Sequence, residues 1–352
     1  FVELLAAQET LSDGSDWYQG TADAVRKNLV YFNQPGIDYV VILSGDQLYR
    51  MDYGELIDTH IKSGADVTIS CMPVSREDAK GFGVVKVDDD GRVKDFVEKP
   101  QTDAEIDAVS TDADWIDSHG VDSKGRDCIA SMGIYVFDRK LLTQVLSGTE
   151  HTDFGNEVFP ATIHSHHVQM HLFDGYWEDI GTIRSFYESN LNLTTDDPEF
   201  ELMEPGSPIY TRARFLPPTR MSGATVTSSL ISNGCKIGAG AIIENSVIGL
   251  RTVIGANVTI RNSIVMGNDF YDSEERASER QSPLLEIGEG TVIEGAIVDK
   301  NVCIGKNAKI INQSKRDQTN LEHDTCVIRD GIPIIIKKAV IPDNWDLEEN
   351  LS

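Results

Sequence analysis

The chain has 352 residues, enough for two domains, and 57 acidic against 31 basic side chains give a formal net charge of −26. That balance argues against nonspecific nucleic-acid binding, which needs clustered Lys and Arg on phosphates, and against an anionic lipid surface. With 40% hydrophobic and 25% charged residues the composition is globular, and no apolar run reaches the about 18 residues a membrane span needs. The five cysteines, Cys71, Cys128, Cys235, Cys303 and Cys326, are scattered and form no CxxC pair, which points to a reducing compartment. The chain opens mid-pattern at Phe1-Val2-Glu3-Leu4-Leu5 rather than at Met, so a fragment or processed product is expected, with no visible signal peptide.

In chain order, Thr21 to Phe32 reads as a helix with Thr21 as N-cap and Asp23 in the first turn. Tyr39 to Leu43 is continuously apolar and β-branched, which predicts a strand buried on both faces. Tyr53 to Ser63 is helical, and Ala65 to Pro73 is a strand. Gly83–Asp88 and Arg92–Glu98 flank Asp89-Asp90-Gly91, a hairpin signal. Met132 to Phe137 is a further strand, and a helix starts at Thr182. Such alternation predicts an α/β fold, a mostly parallel sheet in three α/β/α layers.

Near Leu193 the pattern changes. Residues 1–195 read as the α/β domain, 196–222 as a polar, Pro-containing linker, and 223–352 as a solenoid. In the last part aliphatic residues recur at a six-residue period: Ile231, Ile237 and Ile243, then Ile248, Ile254 and Ile260, resuming at Ile287, Ile293, Val298, Ile304 and Ile310. Two steps are five residues long, so the register is expected to slip there, and Gly follows at Ile237, Ile248, Ile254, Ile287 and Ile304. One inward aliphatic per short strand and three strands per coil give a left-handed parallel β-helix. The charged stretch GNDFYDSEERASERQSP interrupts it and is expected as a surface loop.

Several residues have a chemical reading beside a plain one. Asp46, in SGDQLYRMD, sits past the carboxyl end of a strand, where open α/β sheets bind ligands; it also suits an Asx turn. Asp179, in GYWEDIGT, lies in a similar place, and two such carboxylates could hold one Mg²⁺, which takes one or two carboxylates plus phosphate oxygens. Lys99, in DFVEKP, is either a phosphate partner or a surface lysine. Gly81-Phe82-Gly83 allows a close ligand or marks a bulge. Gly20-Thr21 at a helix start either caps it or meets an anion. On a strand, HSHHVQMH would place His164 and His166 opposite His167 and His171, so a shared metal is disfavoured. Asp153-Phe154-Gly155 mimics a kinase triplet without the HRD loop, and neither a P-loop nor a GxSxG elbow is present.

Together WYQGTADAV, LSGDQLYRMDY, GFGVVKVD, FVEKP, ASMGIYVF, WEDIGTIRSFYESN, YTRARFLPPTR, IVDKNVCIGKNAKIIN and IIIKKAVIP resemble the glucose-1-phosphate adenylyltransferase (ADP-glucose pyrophosphorylase) family in its own order. RARFLPPT and the interrupted solenoid are most similar to its cyanobacterial and plant branch. The resemblance implies a Rossmann-like nucleotidyltransferase sheet followed by a β-helix, and a reaction of ATP with glucose 1-phosphate giving ADP-glucose and pyrophosphate. It implies Asp46 and Asp179 as Mg²⁺ ligands, Lys99 on the sugar phosphate, and Tyr18, Gly83, Glu98 and Ser131 around the sugar. Gly20 and Thr21 would adjoin the nucleotide, and Lys300 and Lys337 match positions that bind an anionic activator between the two domains. A homotetramer in the cytoplasm, or in a plastid of a plant or alga, is the family expectation.

The family's GGGxGTRLxPLT phosphate loop, with the first strand and helix of the sheet, is absent and would precede Phe1. The chain as it stands is therefore expected to have little or no activity. Two alternatives share the resemblance: a non-catalytic regulatory subunit, against which Asp46, Lys99 and Asp179 argue, and a sister pyrophosphorylase using UTP, dTTP or GTP. A hexapeptide acyltransferase would need a histidine beside the coils; Ile231 to Ile310 holds none, and His323 lies beyond.

Overall fold

The computed structural model describes residues 4–5, 17–280, 282–319 and 325–350; His323 lies outside them. The chain forms two compact units, 1–45 with 50–175, and 46–49 with 176–352. The helices up to residue 192 are α1 (Thr21–Lys27), α2 (Leu29–Phe32), α3 (Tyr53–Ser63), α4 (Asp103–Val109), α5 (Ala113–Ser118), α6 (Arg139–Gly148), α7 (Phe159–Ile163) and α8 (Ile183–Asn192). The strands are β1 (Tyr39–Ile42), β2 (Gln47–Tyr49), β3 (Val67–Val74), β4 (Gly83–Val87), β5 (Val93–Glu98), β6 (Cys128–Asp138), β7 (Val168–Leu172) and β8 (Trp177–Asp179).

In the first unit the sheet runs β5-β4-β6-β3-β7, with β1 also paired to β6. The expectation of a mostly parallel sheet is corrected here. Among the described residues β3 and β7 pair parallel, whereas β1 with β6, β3 with β6, β4 with β6 and β4 with β5 are antiparallel. The cause is β6. It arrives from the β4–β5 hairpin and helices α4 and α5, and runs between β1 and β3 against both. β1, β3 and β7 share one direction, as helix-linked strands do. Helix α3 packs on β3 and β7, α6 on β1 and β6, and α4 on β4 and β5. The core centres on Ile69, Ile129, Phe137, Leu142 and Phe159, all fully buried.

Local expectations fare unevenly. Helix α3 is capped by Asp52, whose side chain accepts the Gly54 N–H at 2.8 Å, and ends at Gly64 in the left-handed region. The β4–β5 hairpin turns through Asp88 to Arg92, with Gly91 at φ 75°. The helix from Thr21 to Phe32 breaks at Asn28, and its cap is Gly20, not Thr21; the Thr21 hydroxyl is committed elsewhere. Strand β1 is half-buried rather than buried on both faces, since among the described residues it pairs on one edge only; Tyr39 and Leu43 are exposed. The histidine run is not one strand: His164 ends α7, and of the four only His171 lies on β7, its Nδ1 bonded to the Thr59 hydroxyl at 2.9 Å.

In the second unit β2 and β8 form an antiparallel pair, and no regular element lies between 196 and 219. From Arg220–Met221 onward short parallel strands stack coil on coil. Ile243 lies beside Ile260, Ile260 beside Ile293 and Ile293 beside Ile310. The periodic aliphatics from Ile237 to Ile310 are buried in a single core. The five-residue steps, Ile243 to Ile248 and Ile293 to Val298, fall at the same corner of the coil, so the register does not slip. The glycines after the aliphatics have a steric reason. A Cβ on Gly249 would lie 2.4 Å from the Met266 carbonyl carbon, and one on Gly238 would lie 2.6 Å from that of Gly255. Helix α8 covers one side of the solenoid, setting Ile183, Phe186, Tyr187 and Leu191 against Ile264, Ile297 and Ile332. No helix among the described residues is long and apolar enough to cross a membrane.

Candidate active site

The clearest constellation in the second unit is a carboxylate pair. Antiparallel pairing sets Gln47 opposite Asp179, and the Asp46 carbonyl accepts the Ile180 N–H at 3.0 Å. Both side chains then turn toward Gly181. A Cβ there would lie 2.9 Å from Asp179 Oδ1 and 3.3 Å from Asp46 Oδ2. Asp179 Oδ1 also accepts the Gly181 N–H at 2.8 Å, which fixes its orientation. Thr182 follows as N-cap of α8, its hydroxyl accepting from Ser185 N–H. Residues 133 positions apart thus meet at a point that only glycine leaves open. Two converging carboxylates fit one divalent cation that completes its shell with phosphate oxygens and water. No group of three or more His, Cys, Asp or Glu at metal-binding spacing occurs among the described residues.

A second constellation lies within the first unit. Gly83 and Glu98 are cross-strand partners on β4 and β5. A Cβ on Gly83 would strike the Phe96 ring at 2.4 Å and Glu98 Oε2 at 2.7 Å, so glycine lets the carboxylate lie down over the strand. Burial raises the Glu98 pKa; Lys99 opposes this and Asp153 adds to it. Lys99 itself has φ 48°, and its N–H donates to the Phe82 carbonyl at 3.0 Å, so the chain kinks as it leaves β5 and the ammonium stem is exposed. Ser131 sits beside a β-bulge where β6 shifts register on β3 between Ser70 and Cys71, accepts the Gly133 N–H at 3.2 Å, and shares a hydrogen bond with Tyr135.

The α1 start belongs to the same neighbourhood. Gly20 approaches Thr152 so closely that a Cβ would lie 2.4 Å from its carbonyl oxygen. That carbonyl accepts the Ala22 and Asp23 N–H groups, and the Thr21 hydroxyl bridges Asp153 Oδ2 at 3.2 Å and the Phe154 N–H at 3.1 Å. The first helical N–H groups are thus bound to protein. Tyr18 is held by the Asn28 side chain at 3.0 Å, with the Lys27 ammonium 5.9 Å over its ring. Asp153 and Gly181 escaped the sequence reading. Asp153 was visible only as part of a false kinase triplet, and Gly181 stood in a quoted motif without any signal of its crowding.

Lys300 and Lys337 act on one carboxylate. Lys300 Nζ lies 3.0 Å from Asp269, and Asn301, then Lys300, and more weakly Lys337 hold Asp269 below the usual carboxylate range. The Lys300 carbonyl accepts the Lys338 N–H at 3.0 Å, which ties the two segments together.

Comparison with known families finds two matches along the chain. The nucleotidyl transferase family model matches residues 2–196. The model of the GLGC left-handed parallel β-helix domain matches residues 214–345.

Proposed function

We propose, from the premise that this chain belongs to the nucleotidyl transferase family and carries an ADP-glucose pyrophosphorylase-like β-helix, that it is a glucose-1-phosphate adenylyltransferase. The reaction joins ATP and α-D-glucose 1-phosphate to give ADP-glucose and diphosphate, the donor-forming step of glycogen or starch synthesis. A sugar-phosphate oxygen attacks the α-phosphorus in line, and diphosphate leaves. The observation that carries the reading is the convergence of Asp46 and Asp179 on Gly181.

Asp46 and Asp179 would hold a Mg²⁺, which when bound neutralises phosphate charge. The protein's own residues supply position. Lys99, exposed at the end of β5, offers its ammonium to the sugar phosphate as a point charge. Glu98, held flat by Gly83, accepts sugar hydroxyls, with Ser131 and Tyr18 completing that site. Gly20 and Thr21 shape the nucleotide side by fixing α1 on the 152–154 segment. Lys300 and Lys337 form the anion-responsive pair of a homotetramer, in the cytoplasm or a plastid. RARFLPPT and the interrupted solenoid support the cyanobacterial and plant branch.

Incubating the intact protein with glucose 1-phosphate and, separately, ATP, UTP, dTTP and GTP tests the reading. Diphosphate release with ATP well above the other three is expected. A preference for another nucleotide would assign a sister pyrophosphorylase, and no release with any of them would assign a non-catalytic subunit.

A further inference from the structure

The charged insertion that interrupts the solenoid, expected as a surface loop, carries a helix at Glu274–Arg280 and does more than loop outward. The Tyr271 hydroxyl donates to the Gly234 carbonyl at 3.1 Å, and the Leu285 N–H donates to Asp272 at 3.0 Å. The Arg251 guanidinium lies 5.9 Å over the Tyr271 ring. Gly234, at φ 80°, makes room: a Cβ there would lie 2.4 Å from the Tyr271 oxygen. The insertion is therefore fastened back onto one side of the coil.

Between that fastening and the solenoid lies a cleft of about 460 Å³, lined by Pro217, Pro218, Arg220, Gly234, Lys236 and Tyr271. An adjoining cleft of about 230 Å³ shares Lys236 and Tyr271. The larger one falls in the size range of small-molecule sites, about 300–1,000 Å³. Strand register sets Arg220 directly beside Lys236 on the next coil, one inter-strand spacing of about 4.8 Å away. Among the described residues neither side chain has a hydrogen bond or ion pair. Two like charges directly opposite each other repel, and an anion seated between them removes that repulsion. In a chain of net charge −26 such a cation pair is a local exception, although Asp272 and Glu286 line the adjoining cleft with Lys236.

We propose that this cleft binds a small phosphomonoester. Its phosphate rests on Arg220 and Lys236, where the guanidinium fork and the ammonium give charge-assisted hydrogen bonds. Its organic part lies against the Tyr271 ring and the Pro217–Pro218 wall. The site is separate from Lys300 and Lys337, neither of which lines it. It also stands apart from the adenylyl-transfer reading, because its test is a binding measurement.

Phosphorus-31 NMR line widths of inorganic phosphate and phenyl phosphate, titrated into the full chain, provide that test. Phenyl phosphate is expected to bind more tightly than phosphate. The double variant Arg220→Gln/Lys236→Gln is expected to weaken both by about tenfold or more for each cation removed. Both Arg220 and Lys236 are exposed, so the variants should keep the wild-type circular dichroism. Arg220→Lys, which keeps the charge, is expected to retain most of the affinity. Equal binding by wild type and the Arg220/Lys236 double variant would overturn the proposal, as would an absence of binding to wild type.

Discussion

At the scale of single residues, glycines and carboxylates explain one another. Gly83 and Gly181 matter less for backbone freedom than for the room they leave, since a Cβ at either position would meet a carboxylate oxygen within 3 Å. Glu98 shows what that crowding does to protonation. Burial raises its pKa, against Lys99 and with help from Asp153. The folded state then keeps this proton to higher pH than the unfolded chain does. Stability from this group therefore falls as pH rises from the ordinary glutamate range through the folded value. Glu98→Gln carries no charge to desolvate, so it is expected to flatten that slope and raise the thermal midpoint at neutral pH. Thermal unfolding of both proteins across a pH series reads this out; parallel curves would contradict it.

At the scale of elements, the solenoid is the most legible part of the chain and the sheet the least. One inward aliphatic and one tight corner repeat along the coil, so pattern and structure are nearly the same statement. Gly249 makes the point quantitative. Its Cβ position lies 2.4 Å from the Met266 carbonyl carbon and oxygen, backbone atoms that cannot swing aside. Gly249→Ala is therefore expected to cost about 1–3 kcal/mol, the usual range for overpacking. Denaturant unfolding should show a lower midpoint; an unchanged midpoint would mean that the coils separate freely. In the sheet, helix–strand alternation correctly pointed to β1 and β3 in one direction, but it named no strand at β7. It named the middle of β6 but could not reveal its direction, because a strand's direction is set by the partners it meets and not by its own apolar pattern. The Thr21 cap failed for a related reason. A threonine before a helix suits capping locally, but Asp153, 132 residues away, claims its hydroxyl. The insertion read as a loop because its attachment to Gly234 depends on a tyrosine among charged residues, which no periodicity marks.

At the scale of the whole molecule, the candidate site was legible as residue types and illegible as geometry. Asp46 followed a strand and Asp179 preceded a helix, each with an ordinary turn role available. Only the β2–β8 pairing, with Gln47 across from Asp179, turns them into one pair of donors. That pairing places a short segment of the α/β sequence, 46–49, in the same compact unit as the solenoid. The chemistry proposed here rests on those two carboxylates acting together, and residues that act as a unit lose function non-additively. The most direct measurement is ADP-glucose formation from ATP and glucose 1-phosphate by the intact protein and by Asp46→Asn, Asp179→Asn and the double variant. Each single variant is expected to lose at least about 100-fold in turnover, with folding intact and the double variant no worse than the more impaired single. Turnover near wild type in Asp46→Asn or in Asp179→Asn would contradict the account.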